Sequence, residues 1–245
     1  MKYKKKLFTI ILIGMFMATA FAEKTKIEFS ADNMTGSIIN DNADTTLSGN
    51  AVVKTDDLNI KGETIKLTGK DFRYITASGK VQGENQKEEF SFQADLIKYD
   101  REQKTAEFFG NVQFSDKKNE AVLNADYAHY DENTETLILR FNVSITQKET
   151  KCNSFFATYR RKESTLDLVG KPCVEKEGDV FNAQRIIINL DTEEISLEGK
   201  VSGSVIEDVK DEKQDTETTN ETSSNTEKNE PVDNTVTNEG NTEND

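Results

Sequence analysis

The sequence predicts an all-β protein built from repeats, with bent antiparallel strands stacked around an apolar groove. Three observations carry this reading. The first is a repeat of about 30 residues, a period typical of stacked arrays. Gly49-Asn50-Ala51-Val52, Gly79-Lys80-Val81, Gly110-Asn111-Val112, Gly170-Lys171-Pro172 and Gly199-Lys200-Val201 share one anchor, and Phe141-Asn142-Val143 fills the remaining slot with Phe in place of Gly. A second anchor interleaves with it: Ala31-Asp32, Gly62-Glu63, Ala94-Asp95, Ala125-Asp126, Ala157-Thr158 and Ala183-Gln184. Each of six units, spanning Ile27 to Val205, therefore carries two segments.

The second observation is alternation. Around the Gly anchor apolar residues fall at every other position, as in Ala106, Phe108, Val112, Phe114 and in Leu137, Leu139, Val143, Ile145. Alternation of this kind buries one face of a strand and wets the other. The third is a recurring phase change. In the first segment of a unit, apolar residues precede the small anchor at even spacing (Phe90, Phe92, Ala94) and then shift by one residue (Ile97, Tyr99). A one-residue shift exchanges the two faces of a strand, so its recurrence predicts a bulge or bend along a common line. The connections agree, because Asp100–Lys104, Asp131–Glu135 and Asp191–Glu194 are short, polar and rich in turn formers. Only two prolines interrupt the chain, Pro172 and Pro231.

The ends differ from the array. Residues 1–22 read as a secretory signal peptide: Lys2 and Lys4–Lys6, an apolar run from Leu7 to about Met17, and Ala20-Phe21-Ala22 before Glu23. The alternative is an uncleaved membrane anchor, for which the run is short. Residues 23–206 form the expected domain, and 207–245 a disordered acidic tail with almost nothing apolar to bury. That tail holds 13 acidic and 3 basic residues, and so contributes most of the net charge of −14. The array itself remains acidic, which excludes a nucleic-acid binder.

Chemistry is sparse. There is one His and no Trp. His129 takes a slot that other units fill with Lys66, Lys98, Arg161 or Ile187, and reads as an outer-face residue. The acidic run at Asp41 lacks the Gly and terminal Glu of a calcium loop. No catalytic residue, metal site or cofactor is expected, so the chain does not read as an enzyme.

The stretches Gly110-Asn111-Val112-Gln113-Phe114, Ala125-Asp126-Tyr127-Ala128-His129-Tyr130, Gly49-Asn50-Ala51-Val52-Val53 and Ile60–Leu67 resemble the LptA/OstA family of lipopolysaccharide-transport proteins. The resemblance runs from Ile27 to Val205, and the chain departs from the pattern at Phe141, at Pro172 and in its acidic tail. It implies a periplasmic, semi-open β-jellyroll that shelters acyl chains of lipopolysaccharide or a related glycolipid on their way to the outer membrane. It also implies edge-strand contacts with LptC-like and LptD-like partners, or head-to-tail self-association. A membrane-anchored LptC-like component and a structural or adhesive β-repeat without lipid are the alternatives.

The residues support a groove on their own account, since no second sheet or helix in the sequence covers the apolar face. The candidates to line it are Phe29, Leu47, Val53, Ile60, Ile65, Leu67, Phe92, Ile97, Phe108, Phe114, Leu123, Leu139, Val143, Phe155, Ile186 and Leu197. These are aliphatic side chains and Phe, suited to hydrocarbon. Finally, a hairpin centred on Lys162-Glu163 places Cys152 opposite Cys173. Export to an oxidising compartment then predicts a disulfide, against the alternative of two free thiols.

Overall fold

Alternating side chains over stretches of eleven or twelve residues produce long strands in the computed structural model, which describes residues 26–37, 43–55 and 58–206. The strands are β1 (Glu28–Ser30), β2 (Asn33–Ser37), β3 (Ala43–Lys54), β4 (Leu58–Gly69), β5 (Tyr74–Asn85), β6 (Phe90–Asp100), β7 (Thr105–Asp116) and β8 (Ala121–Asp131). They continue with β9 (Thr136–Gln147), β10 (Thr150–Arg160), β11 (Thr165–Val169), β12 (Cys173–Lys176), β13 (Asp179–Asn182), β14 (Arg185–Asn189), β15 (Ile195–Glu198) and β16 (Ser202–Ser204). All belong to one antiparallel sheet in which β3 to β11 are neighbours in chain order. The expected signal peptide and acidic tail lie outside the described residues.

Four pairs of short strands are halves of bent strands. β3 pairs with both β1 and β2, and β10 pairs with both β11 and β12. Likewise β13 and β14 continue the next rank, and β15 and β16 the last. Twelve ranks result, so the stack is about 55 Å long at the usual strand spacing. The sheet is open: β1–β2 and β15–β16 are its edges.

The bend lies where the phase change predicts it. Pairing registers slip between Ser78 and Val81, Gln93 and Leu96, Phe109 and Val112, and Asn124 and Tyr127. At one such corner Gly110 and Asn111 both adopt positive φ, 71° and 46°. A Cβ on Gly110 would collide with the Asp95 carboxylate, which itself accepts a hydrogen bond from Asn111 Nδ2 at 2.8 Å. The same acid–amide pair recurs as Asp32–Asn50 and Asp126–Asn142.

On either side of the bend one cross-strand ladder of inward residues forms a wall, because paired neighbours share a face. One wall runs Leu47, Ile65, Ala77, Ile97, Phe108, Ala128, Leu139, Ala157, Leu168, Ile186, Leu197. The other runs Phe29, Val53, Ile60, Gly83, Phe92, Phe114, Leu123, Ile145, Cys152, Val174, Phe181, Gly203. Between them lies one continuous apolar core.

The cysteine expectation fails on register. Arg160 pairs with Thr165 and Phe156 with Val169, as the proposed hairpin requires. Beyond the corner at Gly170-Lys171 the pairing has slipped by one residue, so Cys152 faces Val174 and Cys173 faces Asn153. The two thiols therefore point to opposite faces of the sheet, and both are free. Burial, with Cys173 close by, pushes the Cys152 thiol up to about 12.

Candidate functional site: an apolar groove with an unequal seam

Bending every strand brings its two ends together, so that two rows of turns face each other across a seam. Over the C-terminal half the seam is sewn shut. Arg161, in the β10–β11 turn, donates from Nε to Asp116 Oδ2 at 2.7 Å and from Nη2 to the Glu88 carbonyl. Tyr159 donates to Asp116 Oδ2 at 2.8 Å and accepts from Asn119 Nδ2 at 2.6 Å. Ser164 Oγ donates to Asn119 Oδ1, and Gln147 Nε2 donates to the Leu190 carbonyl. Tyr130 donates to Glu88 at 2.9 Å.

Asp116, Asn119, Gln147, Arg161 and Ser164 are all buried. Burial alone raises the Asp116 carboxyl, but the bonds from Arg161, Tyr159 and Asn119 outweigh it and hold the group below the usual Asp range. Glu88 moves the other way, because burial outweighs its bond from Tyr130. Burial, and then the nearby Glu88 and Asp116, push the Tyr130 and Tyr159 phenols up.

The N-terminal half is different. Thr55, Leu58 and Asn85 on one rim and Tyr99, Arg101, Lys104 and Glu132 on the other border a cavity of about 280 Å³. Its floor is the inner wall: Ile60, Phe90, Phe92, Ile97 and Phe108. Its rim is polar. Lys104 reaches Glu132 at 3.1 Å, and Arg101 donates to the Asp71 and Phe72 carbonyls. An aromatic cluster separates the two halves. Phe92–Phe108, Phe108–Phe114, Phe90–Phe114 and Phe90–Tyr130 have ring centroids 5.1 to 5.3 Å apart. The Arg161 guanidinium lies 5.5 Å above the Phe90 ring, which ties the sewn seam to the cluster.

Leu47, Val53, Ile60, Ile65, Leu67, Phe92, Ile97, Phe108, Phe114, Leu123, Leu139, Val143 and Ile186 are all buried on the inner face. Of these, Ile60, Phe92, Ile97 and Phe108 meet at the cavity. Leu197 is half-buried on the last rank. Phe29 continues an inner wall through its pairing with Val53, but it is 40% exposed because it stands at the open end of the stack. Phe155 is a correction. It occupies the corner itself, donates its backbone N–H to the Gly170 carbonyl, and is 49% exposed on the outside. The equivalent of Asp95 in the fifth unit is thus Phe155, and Ala157 belongs to the inner wall.

Arg161 is a second correction: the register gives the slot of Lys98 and His129 to Thr158, and Arg161 lies beyond it in the β10–β11 turn, where it is buried. No local pattern marks it, because its partners are 45 residues away. His129 lies on the outer face, paired with Glu107 and Ile138. Among the described residues, no group of three or more His, Cys, Asp and Glu side chains could hold a metal ion. Among the same residues, no helix is long and apolar enough to cross a membrane.

Fold and groove together define an open, all-β jellyroll with an apolar interior reached through part of its seam. Residues 28–136 match the model of the family described as LptA/(LptD N-terminal domain) LPS transport protein, and this stretch of the chain is LptA/OstA-like. Among solved structures, one similar chain is LptH from Pseudomonas aeruginosa, described as the LptA-homologous periplasmic component of the lipopolysaccharide transport device. The identity is 11% and the TM-score 0.23, with 74% of this chain and 96% of that chain covered, a superposition too loose to carry an argument. A search of curated proteins finds no match.

Proposed function

We propose that the protein is a periplasmic carrier or bridge for lipopolysaccharide or a related glycolipid, and that it shelters acyl chains in the N-terminal half of its groove. The observation that carries this is the cavity between Leu58 and Tyr99, whose apolar floor continues the inner walls and whose rim is polar. A hydrocarbon chain entering there exchanges water for Ile60, Phe92, Ile97 and Phe108 at about 25 cal/mol per Å² of apolar surface removed from water. A polar head group stays at the rim, beside Arg101 and Lys104. Such a role needs no catalytic group. The family match over residues 28–136 supports a place in lipopolysaccharide transport.

The test is site-specific photo-crosslinking in cells, with the probe at Leu58 or at Leu139. Glycolipid adducts are expected at Leu58 and few or none at Leu139, behind the sewn seam. Absence of adducts at both positions, with no glycolipid co-purifying in detergent-free buffer, sinks the reading.

The edges suggest how carriers join. Among the described residues, β1–β2 and β15–β16 have no further strand on their outer sides, which suits strand addition by LptC-like or LptD-like partners or by a second copy. Sedimentation at rising concentration should show end-to-end association, reduced by Leu197→Pro. A monomer at every concentration, together with unchanged partner binding by Leu197→Pro, counts against edge pairing.

A further inference from the structure

The bend line repeats one polar arrangement, and at one place it becomes aromatic. Asp32 faces Gly49-Asn50, Glu63 faces Gly79-Lys80, Asp95 faces Gly110-Asn111, and Gln184 faces Gly199-Lys200. In the two corners between the last of these and Asp95, Phe141 replaces the glycine and Phe155 replaces the acid. Phe141 holds φ at 64°. A bulky residue there is a genuine outlier, and strain of this kind persists where the surroundings or a function require it.

Neither ring is buried. Phe141 and Phe155 are each 49% exposed, and the neighbouring Phe156 and Val169 are exposed as well. They form one patch: the Phe141 and Phe156 rings lie 5.8 Å apart, Phe156 pairs with Val169, and Phe155 sits in the bulge between them.

Charge around the patch also departs from the rest of this acidic domain. Phe156 pairs with the exposed Arg140, whose guanidinium lies 5.6 Å from the Tyr127 ring. Beside Phe155 an outer cleft of about 380 Å³ is lined by Asn142, Asn153, Ser154, Gly170 and Lys171 with Val143, and by no carboxylate. The nearest corner acid, Asp126, is engaged by Asn142 Nδ2 at 2.7 Å. Among the described residues, Arg140 and Lys171 form no ion pair.

We propose that this aromatic corner is a membrane-contact surface, in which Phe141, Phe155 and Phe156 enter the head-group region of a phospholipid bilayer while Lys171 and Arg140 meet lipid phosphates. Charge favours a bilayer over a protein: Arg140 and Lys171 flank the exposed rings, and the cleft beside Phe155 is lined by no carboxylate, as contact with anionic head groups requires. Protruding rings flanked by cations need no complementary pocket in a lipid interface. The surface lies outside the groove, so its failure leaves the carrier reading intact.

The test restores what the neighbouring corners carry. The chain from residue 23 and its Phe141→Gly/Phe155→Asp variant are sedimented with phosphatidylethanolamine–phosphatidylglycerol vesicles. The native sequence should pellet with the vesicles, and the variant should bind about tenfold more weakly or worse, the effect of withdrawing two rings from an apolar environment. Phe141→Gly alone should raise the thermal midpoint while weakening binding, which separates lost contact from lost folding. No vesicle binding by the native chain overturns the proposal, as does equal binding by the variant. Lipid-free self-association that vanishes in the variant also overturns it, because the occupant is then a second copy.

Discussion

The two halves of the seam are built from the same repeat and end in opposite states. From β7 to β14 the facing turns are joined by Arg161, Asp116, Tyr159, Asn119 and Gln147, and the walls pack on each other. From β3 to β7 the facing rims stand apart over a cavity. The inner walls are apolar in both halves. The difference lies in a few polar side chains at strand ends, so closure of the groove is decided by the rim and not by the core.

The largest effect expected is at Arg161. Arg161→Ala leaves Asp116 buried without its cation and should cost about 3 kcal/mol or more in urea unfolding. The paired change Arg161→Met/Asp116→Leu should recover part of that loss, since it removes the unpaired charge but also takes the acceptor from Tyr159 and Asn119. If Arg161→Ala is neutral, the seam is not held there. Next come two matched tyrosines. The Tyr159 hydroxyl is buried between Asp116 and Asn119, and Tyr159→Phe should cost roughly 1–2 kcal/mol. Tyr99→Phe at the open rim loses only a 3.3 Å bond to Glu132 and should cost less than half as much. Equal costs would erase the distinction between the halves.

A smaller effect is expected at a corner shared by both. Gly110→Ala sets a Cβ against Asp95 at positive φ and should cost about 1 kcal/mol. Acid titration should give the smallest signal. Glu88 has a raised folded pKa, so its ionisation weakens the fold as pH rises through that value. Stability should therefore increase slightly on mild acidification, and Glu88→Gln should flatten this part of the profile. Asp116 has a lowered folded pKa, so its contribution is complete above the usual Asp range and disappears as pH falls through the lowered value. Urea midpoints across acid pH check both signs.

Much of this architecture is legible in the chain, for a local reason. Alternation and its one-residue slip are consequences of the strand's period of two, so Phe92, Ala94 and Ile97 announce both the buried face and the bend before any contact is known. Thirteen of the sixteen groove candidates are buried on the inner face by this rule alone. Phe29 and Leu197 fall short because they stand on the end ranks of the stack, and Phe155 because a corner intervenes. Phe155 and the Cys152–Cys173 pair were misplaced because the corner at Gly170-Lys171 adds a residue, and one residue exchanges the faces.

What the sequence by itself determined is therefore the class: an all-β stack, its repeat, its bend line and its apolar side. The tertiary structure alone decided which stretch of the seam closes. Asp116 and Arg161 come together across 45 residues only after bent strands fold end to end, and no periodicity records that meeting. Exposed Phe141 and buried Arg161 invert what hydropathy assigns to them, because burial follows from which elements finally face each other.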